Sequence, residues 1–266
     1  MPHYQPITHT DFAHRRWKPF DHDRFAATEA IVPLVAQELA KACHSLPIAF
    51  IRQQDYFIPA AVQGLQPGQN LFVAPDGRWL GGYIPAAYRG YPFALAQADN
   101  DQLVLCVDDD SGLLIDDPDS DEGEPFFDAD GQPAEAVRQV LDFLEKVAAD
   151  RQRTERLCAL LAEHALIQPW PLTVKTADGE RPVQGLHRID EAALSALPTV
   201  PFETLRQAGA LPLIYCQLLS MQHIALLGKL AEYHAKLADH HAKAQPALDA
   251  HVFFGTEDSL SFDWDA

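Results

Sequence analysis

The sequence predicts an α+β fold, with a mainly antiparallel sheet in its N-terminal half and helices in its C-terminal half. Two observations carry this. Short β-branched and aromatic runs separated by turn residues give way to helical periodicity past residue 130, and strict strand–helix–strand alternation is missing.

Taken in order, residues 33–43 place Leu34, Val35, Leu39 and Ala42 at helical spacing, with Pro33 suited to a first turn. Strand candidates follow at 47–52, 56–63, 70–73, 79–84, 93–96, 102–107 and 112–115. Gly64, Pro67-Gly68, Asp76-Gly77 and Asp99-Asn100 punctuate them as turns, so a meandering sheet is expected over about 45–116. Residues 133–149 then carry Val137, Val140, Leu141 and Leu144 on one helical face, and 154–165 carry Leu157, Leu160 and Leu161. A strand is expected at 183–186, and Asp190 is positioned to cap a short helix that stops near Pro198. The stretch 213–243, interrupted only by Gly228, reads as one long helix, apolar early and polar late. One domain over 1–266 is expected, with an acidic loop at 108–130 and a helical part at about 133–245.

Composition excludes several classes. Apolar residues make up 47% and charged residues 22%, which suits a globular chain rather than a disordered one. The start, Met1-Pro-His-Tyr, lacks a basic and then apolar leader, and no uninterrupted apolar run reaches the roughly 18 residues of a membrane span, so a cytoplasmic protein without a membrane span is expected. Cys43, Cys106, Cys158 and Cys216 are scattered without a CxxC pair, as buried thiols would be. A net charge of -18 argues against nucleic acid as a partner. Much of that charge is local: eleven acids and no Lys or Arg lie between Asp108 and Asp130.

The block Asn70-Leu-Phe-Val73, Asp76-Gly-Arg-Trp79 and Tyr83-Ile-Pro-Ala-Ala-Tyr-Arg-Gly-Tyr-Pro-Phe93 resembles the SapC-like family of bacterial proteins. Phe126-Phe-Asp-Ala-Asp-Gly131, Thr154-Glu-Arg-Leu-Cys158, Gly185-Leu-His-Arg-Ile-Asp-Glu191, Gly209-Ala-Leu-Pro-Leu-Ile-Tyr215 and Phe262-Asp-Trp264 extend the resemblance along nearly the whole chain. It implies an association with bacterial surface layers or with outer-membrane nutrient uptake, and it brings no catalytic residues. Similar sequences tend to carry two arginines before Tyr-Pro-Phe, where this chain has Arg89-Gly90.

Trp79, Tyr83, Tyr88, Arg89 and Tyr91 form the candidate binding surface, an aromatic lining with Arg89 meeting a carboxylate or phosphate. The same residues also suit a sheet core. The acids from Asp117 invite a calcium-loop reading, but the position that requires glycine holds Glu122. His9-Thr-Asp11 spells part of an iron triad in an irregular leader, and His234 and His241 lie two helical turns apart, too far for a simple chelate. No metal site and no cofactor are expected, because the phosphate-binding glycine loops are missing as well. GxSxG is absent, and Ser220 near His223 and Cys158 near His164 lack an orienting group. The expectation is therefore a non-catalytic binding or accessory protein that recognises a protein, a peptide or a small anionic ligand. The alternative is an enzyme acting on a peptide or a surface or nutrient component, its catalytic groups gathered only in the fold. A homo-oligomer formed through the C-terminal helix is the third reading, with Leu218, Leu219, Ile224, Leu226 and Leu227 equally suited to an internal core.

Overall fold

A computed structural model describes residues 3–97, 102–117, 122–176 and 179–244. The chain begins with β1 (Tyr4–Pro6), α1 (His9–Phe12), β2 (Arg16–Trp17) and β3 (Ile31–Pro33). A 3-10 turn at Ala36–Glu38 runs into α2 (Leu39–Ala42), and β4 (Ile48–Gln53) and β5 (Tyr56–Val62) form a hairpin. An irregular stretch leads to α3 (Ala86–Arg89), and then β6 (Phe93–Gln97), β7 (Leu103–Asp108), β8 (Leu114–Ile115) and β9 (Glu124–Pro125). After α4 (Glu135–Glu163) come β10 (Ile167–Pro169), β11 (Leu172–Thr176), β12 (Gly179–Val183) and β13 (Leu186–Ile189). The remaining helices are α5 (Glu191–Ser195), α6 (Thr199–Ala208), α7 (Leu211–Ser220) and α8 (Ile224–Ala244), with a 3-10 turn at Met221–His223 between the last two.

The fold class is α+β, as the pattern predicts, but the expected single meander is replaced by several antiparallel sheets. The largest has the order β10-β13-β4-β5-β3, so strands from the helical half complete a sheet begun by the β4–β5 hairpin. β1-β7-β6 and β8-β2-β9 form two smaller sheets, and β11 pairs with β12.

Several elements differ from their sequence patterns for identifiable reasons. The helix expected over 33–43 is shorter, because Pro33 pairs with Ala60 in β3 and the Leu34 N–H donates to the Pro59 carbonyl at 2.9 Å. Segments 70–73 and 79–84 are not strands. The Asn70 side chain folds that run into a turn, accepting from Phe72 N–H at 2.9 Å and donating to the Ala26 carbonyl at 3.0 Å; only an isolated Val73–Trp79 bridge remains. The expected strand at 183–186 straddles two strands, with Gly185 between them at φ 83°. The Asp190 cap is present, accepting from Ala193 N–H at 3.0 Å.

The helices expected at 133–149 and 154–165 are one continuous α4. Polar residues at the expected junction satisfy the start of the neighbouring helical turn, whose first N–H groups have no partners of their own. Ala36 N–H donates to Thr154 Oγ1 at 2.8 Å and Gln37 N–H to Asp150 Oδ2 at 2.8 Å. The two ends of α4 serve different cores. Val137 belongs to a small one with Phe12, Trp17, Phe93 and Phe126, and Leu157, Cys158 and Leu161 belong to the main one with Phe50, Phe72 and Ile214.

The stretch Leu211–Asp239, which contains an 18-residue window with a mean hydropathy of 1.3, is long and apolar enough to cross a membrane by length and composition. In the fold its buried face packs into the main core through Leu213, Ile214 and Leu227. Gln217 and Ser220 on that face satisfy the neighbouring strands: Ile189 N–H donates to Gln217 Oε1 at 2.9 Å, Gln217 Nε2 to the Ile48 carbonyl at 3.1 Å, and Ile48 N–H to Ser220 Oγ at 3.0 Å.

Candidate functional site

The five residues of the predicted surface do not form one lining. They separate into a core position, a basic cleft and an acidic cavity, with α3 contributing to both openings.

Trp79 is the core position. Its ring stacks on Phe72 at 5.6 Å between centroids, and its Nε1 donates to the Tyr83 carbonyl at 2.9 Å. A Cβ on Gly81 would meet that indole nitrogen at 2.7 Å, so the glycine is what lets the backbone pass beside the ring.

Tyr83 and Arg89 meet at the basic cleft. Glu38, buried at 5% exposure, organises its floor: Oε1 accepts Val35 N–H at 2.9 Å, while Oε2 accepts Ala86 N–H at 2.7 Å and the Tyr83 hydroxyl at 2.9 Å. Burial, and then the Glu38 charge, push the Tyr83 phenol pKa well up. Arg89 Nη2 in turn donates to the Tyr83 hydroxyl at 3.1 Å, and the guanidinium lies 5.6 Å from the Tyr83 ring centroid and 5.1 Å from that of Phe143. Two aromatic rings thus hold Arg89 without neutralising it.

Lys41 from α2 and Lys146 from α4 line the same cleft, whose volume is about 210 Å³. Among the described residues, Lys41, Arg89 and Lys146 have no carboxylate within 4.0 Å. All three are exposed, whereas the carboxylates of the lining, Glu38 and Asp150, are buried. Asp150 gives Oδ2 to Gln37 N–H, and its Oδ1 has no partner among the described residues.

Tyr88 and Tyr91 turn the other way, onto a cavity of about 510 Å³ shared with Tyr4, Phe25, Phe93, Glu29, Asp108 and Asp110. Tyr88 is 6% exposed and donates its hydroxyl to Gln63 Oε1 at 2.6 Å. Tyr91 stacks on Phe25 with centroids 3.9 Å apart and rings 8° from parallel.

Gly90 leaves no free room for the second arginine that the resemblance implies. It is buried beneath α4, and a Cβ there would lie 2.6 Å from Leu144 Cδ2, so any side chain requires Leu144 to move. Sequence reading missed Lys41, Phe143 and Lys146, which lie far from Arg89 along the chain and carry no local signal. Phe25, Glu29 and Asp108 were missed for the same reason.

The other candidates find structural roles. His9 packs edge-on against Phe127 at 5.0 Å, and Asp11 accepts the Thr8 hydroxyl at 2.6 Å at the start of α1. His234 Nε2 lies 2.9 Å from the Leu71 carbonyl oxygen; the side chain of His241 lies outside the described residues. Asp119 and Asp121 of the calcium-loop reading, and Phe262 and Trp264, also lie outside them, while Glu122 accepts from Lys18 Nζ at 2.6 Å. Among the described residues no cluster of three or more His, Cys, Asp or Glu is arranged to hold a metal ion. His223 contacts the Cys43 carbonyl oxygen at 3.0 Å, while Ser220 donates to the Gln217 carbonyl at 2.7 Å, so the two are not coupled as base and nucleophile. Burial pushes the Cys158 thiol up to about 12, the reverse of what a thiolate nucleophile needs.

The family described as SapC matches residues 7–227. No curated protein and no solved structure matches the chain.

Proposed function

The chain belongs to the SapC family, and we propose that it is a non-catalytic binding protein whose basic cleft holds a small anionic ligand or the carboxylate end of a peptide. The observation that carries this reading is the gathering of Lys41, Arg89 and Lys146 at one opening, without carboxylate partners among the described residues, in a chain of net charge -18. Arg89, held between two rings, presents a planar donor fork suited to two oxygens of one anion, and the lysines add mobile charge beside it. A volume of about 210 Å³ suits a ligand of few atoms or the end of a longer one. A link to surface-layer or nutrient-uptake systems, which the resemblance implies, belongs to this proposal: carboxylated peptides and nutrients are ligands that such a link would supply.

Calorimetric titration with inorganic phosphate, and with a short peptide compared against its C-terminal amide, tests the reading. Phosphate and the free carboxylate should bind, more weakly as salt is raised, and Arg89→Ala should reduce both by about tenfold. Equal binding of acid and amide, or no effect of Arg89→Ala in a folded protein, would sink it.

A further inference from the structure

The cavity beside Tyr91 has the opposite chemistry to the basic cleft. Tyr4, Phe25, Tyr88, Tyr91 and Phe93 supply aromatic walls, Glu29, Asp108 and Asp110 supply carboxylates, and the lining contains no Lys, Arg or His. Acids are common in this chain, so their number alone decides nothing. What distinguishes the cavity is Asp108, which is only 5% exposed and has no Lys, Arg or His nitrogen within 4.0 Å among the described residues. Its Oδ1 is fixed by His3 N–H at 2.9 Å and Asp110 N–H at 3.3 Å, whereas its Oδ2 has one long contact among the described residues, the Tyr91 hydroxyl at 3.5 Å. A buried carboxylate without a cationic partner is costly even when hydrogen-bonded, and a cation arriving beside it offsets that cost.

The walls are built for the same visitor. Phe25 stacks face to face on Tyr91 and meets Tyr88 and Phe20 edge to face at 5.8 and 5.2 Å, which fixes the rings in place before anything binds. Aromatic faces carry negative potential and attract organic cations. The local field is already negative: Tyr4, Tyr88 and Tyr91 hold their phenolic protons to higher pH, first through burial and then through Asp108 for Tyr4 and Tyr91 and Glu29 for Tyr88.

We infer that this cavity is a binding site for a small organic cation, an alkylammonium or guanidinium group held over the Phe25–Tyr91 wall with its charge toward Asp108 and Glu29. An anion would face three carboxylates. A neutral apolar guest would remove water from Asp108 and give nothing in return. A hard metal ion demands six or more oxygens at short range, which these aromatic walls do not offer. A volume of about 510 Å³ lies within the usual range for small-molecule sites.

Titration of the full chain with n-butylammonium, tetramethylammonium and guanidinium chlorides, followed by calorimetry and ligand-observed saturation-transfer NMR, tests the inference, with n-butanol as the neutral match. The cations should bind and n-butanol should bind at least tenfold more weakly. Glu29→Gln, at the exposed rim, should weaken the cations about threefold, and Asp108→Asn about tenfold. Glu203→Gln, on α6 and paired with Arg206, should change nothing. A lysine-containing peptide capped at both ends, compared with n-butylammonium, separates a protein side chain from a free amine as the natural source. If n-butanol equals the cations, if none of the cations binds, or if Glu29→Gln and Asp108→Asn both leave affinity unchanged, the site is not a cation site. Should Asp108→Asn fail to fold, Glu29→Gln decides the matter alone.

Discussion

The Tyr83 hydroxyl donates to Glu38 Oε2 at 2.9 Å while receiving a bond from Arg89, so one phenol joins a buried carboxylate to an exposed guanidinium. Three donors converge on Glu38, and an amide in its place has one acceptor oxygen and an NH₂ group that opposes them. Glu38→Gln is therefore expected to cost about 2–4 kcal/mol. Tyr83→Phe should cost about 1 kcal/mol and also weaken phosphate binding, because Arg89 loses one of its anchors. Urea unfolding of the two variants checks the order.

Gly90→Ala should destabilise by about 1–3 kcal/mol, since the added methyl group presses on Leu144. Leu144→Ala in the same chain should recover part of that loss, so the double variant should fall short of the sum of the singles. Strict additivity in thermal or urea unfolding would contradict the contact.

Gln217 satisfies Ile189 N–H and the Ile48 carbonyl together, both in the buried interior. Gln217→Leu orphans both groups and is expected to cost about 2–4 kcal/mol, with Ser220→Ala costing about half as much because it orphans Ile48 N–H alone. Comparable losses from the two variants would contradict the assignment.

Alkaline pH should weaken the fold. The Tyr91 phenol is pushed from 10.0 up to about 12, chiefly by burial and next by Asp108. The folded protein therefore keeps a proton that the unfolded chain releases, and stability present below pH 10 declines as pH rises toward 12. Tyr83 and Tyr88 act in the same direction. Tyr91→Phe should flatten part of this decline in urea midpoints measured across that window. An unchanged slope would show that Tyr91 titrates alike in both states.

Local chemistry was legible in the sequence. The β4–β5 hairpin, β6, β7 and the Asp190 cap follow from alternation, turn residues and capping chemistry that neighbours along the chain decide. The pairing of β13 with β4 was not legible, because Leu186–Ile189 is short and its partner lies more than a hundred residues earlier. The continuity of α4 across Asp150 and Thr154 was not legible, because the partners of those polar side chains, Gln37 and Ala36, come from another element. The 79–93 block stands out in the sequence as dense in aromatics, but density does not reveal direction. Ala86 and Arg89 on one face of α3 open onto the basic cleft and Ala87 and Tyr88 on the other onto the acidic cavity, and only the packing of α4 and of Phe25 decides which side chain faces which.

α4 anchors one core near Val137 and the other near Leu157, and Phe143, Lys146 and Asp150 lie along the span between those anchors. That span behaves as a beam fixed at both ends, so the opening it roofs inherits its shape from two supports at once. Loosening either support, for instance at Phe126 or at Leu161, is expected to displace Lys146 without touching the cleft, and phosphate titration of such variants would then gauge remotely how firmly each core is set.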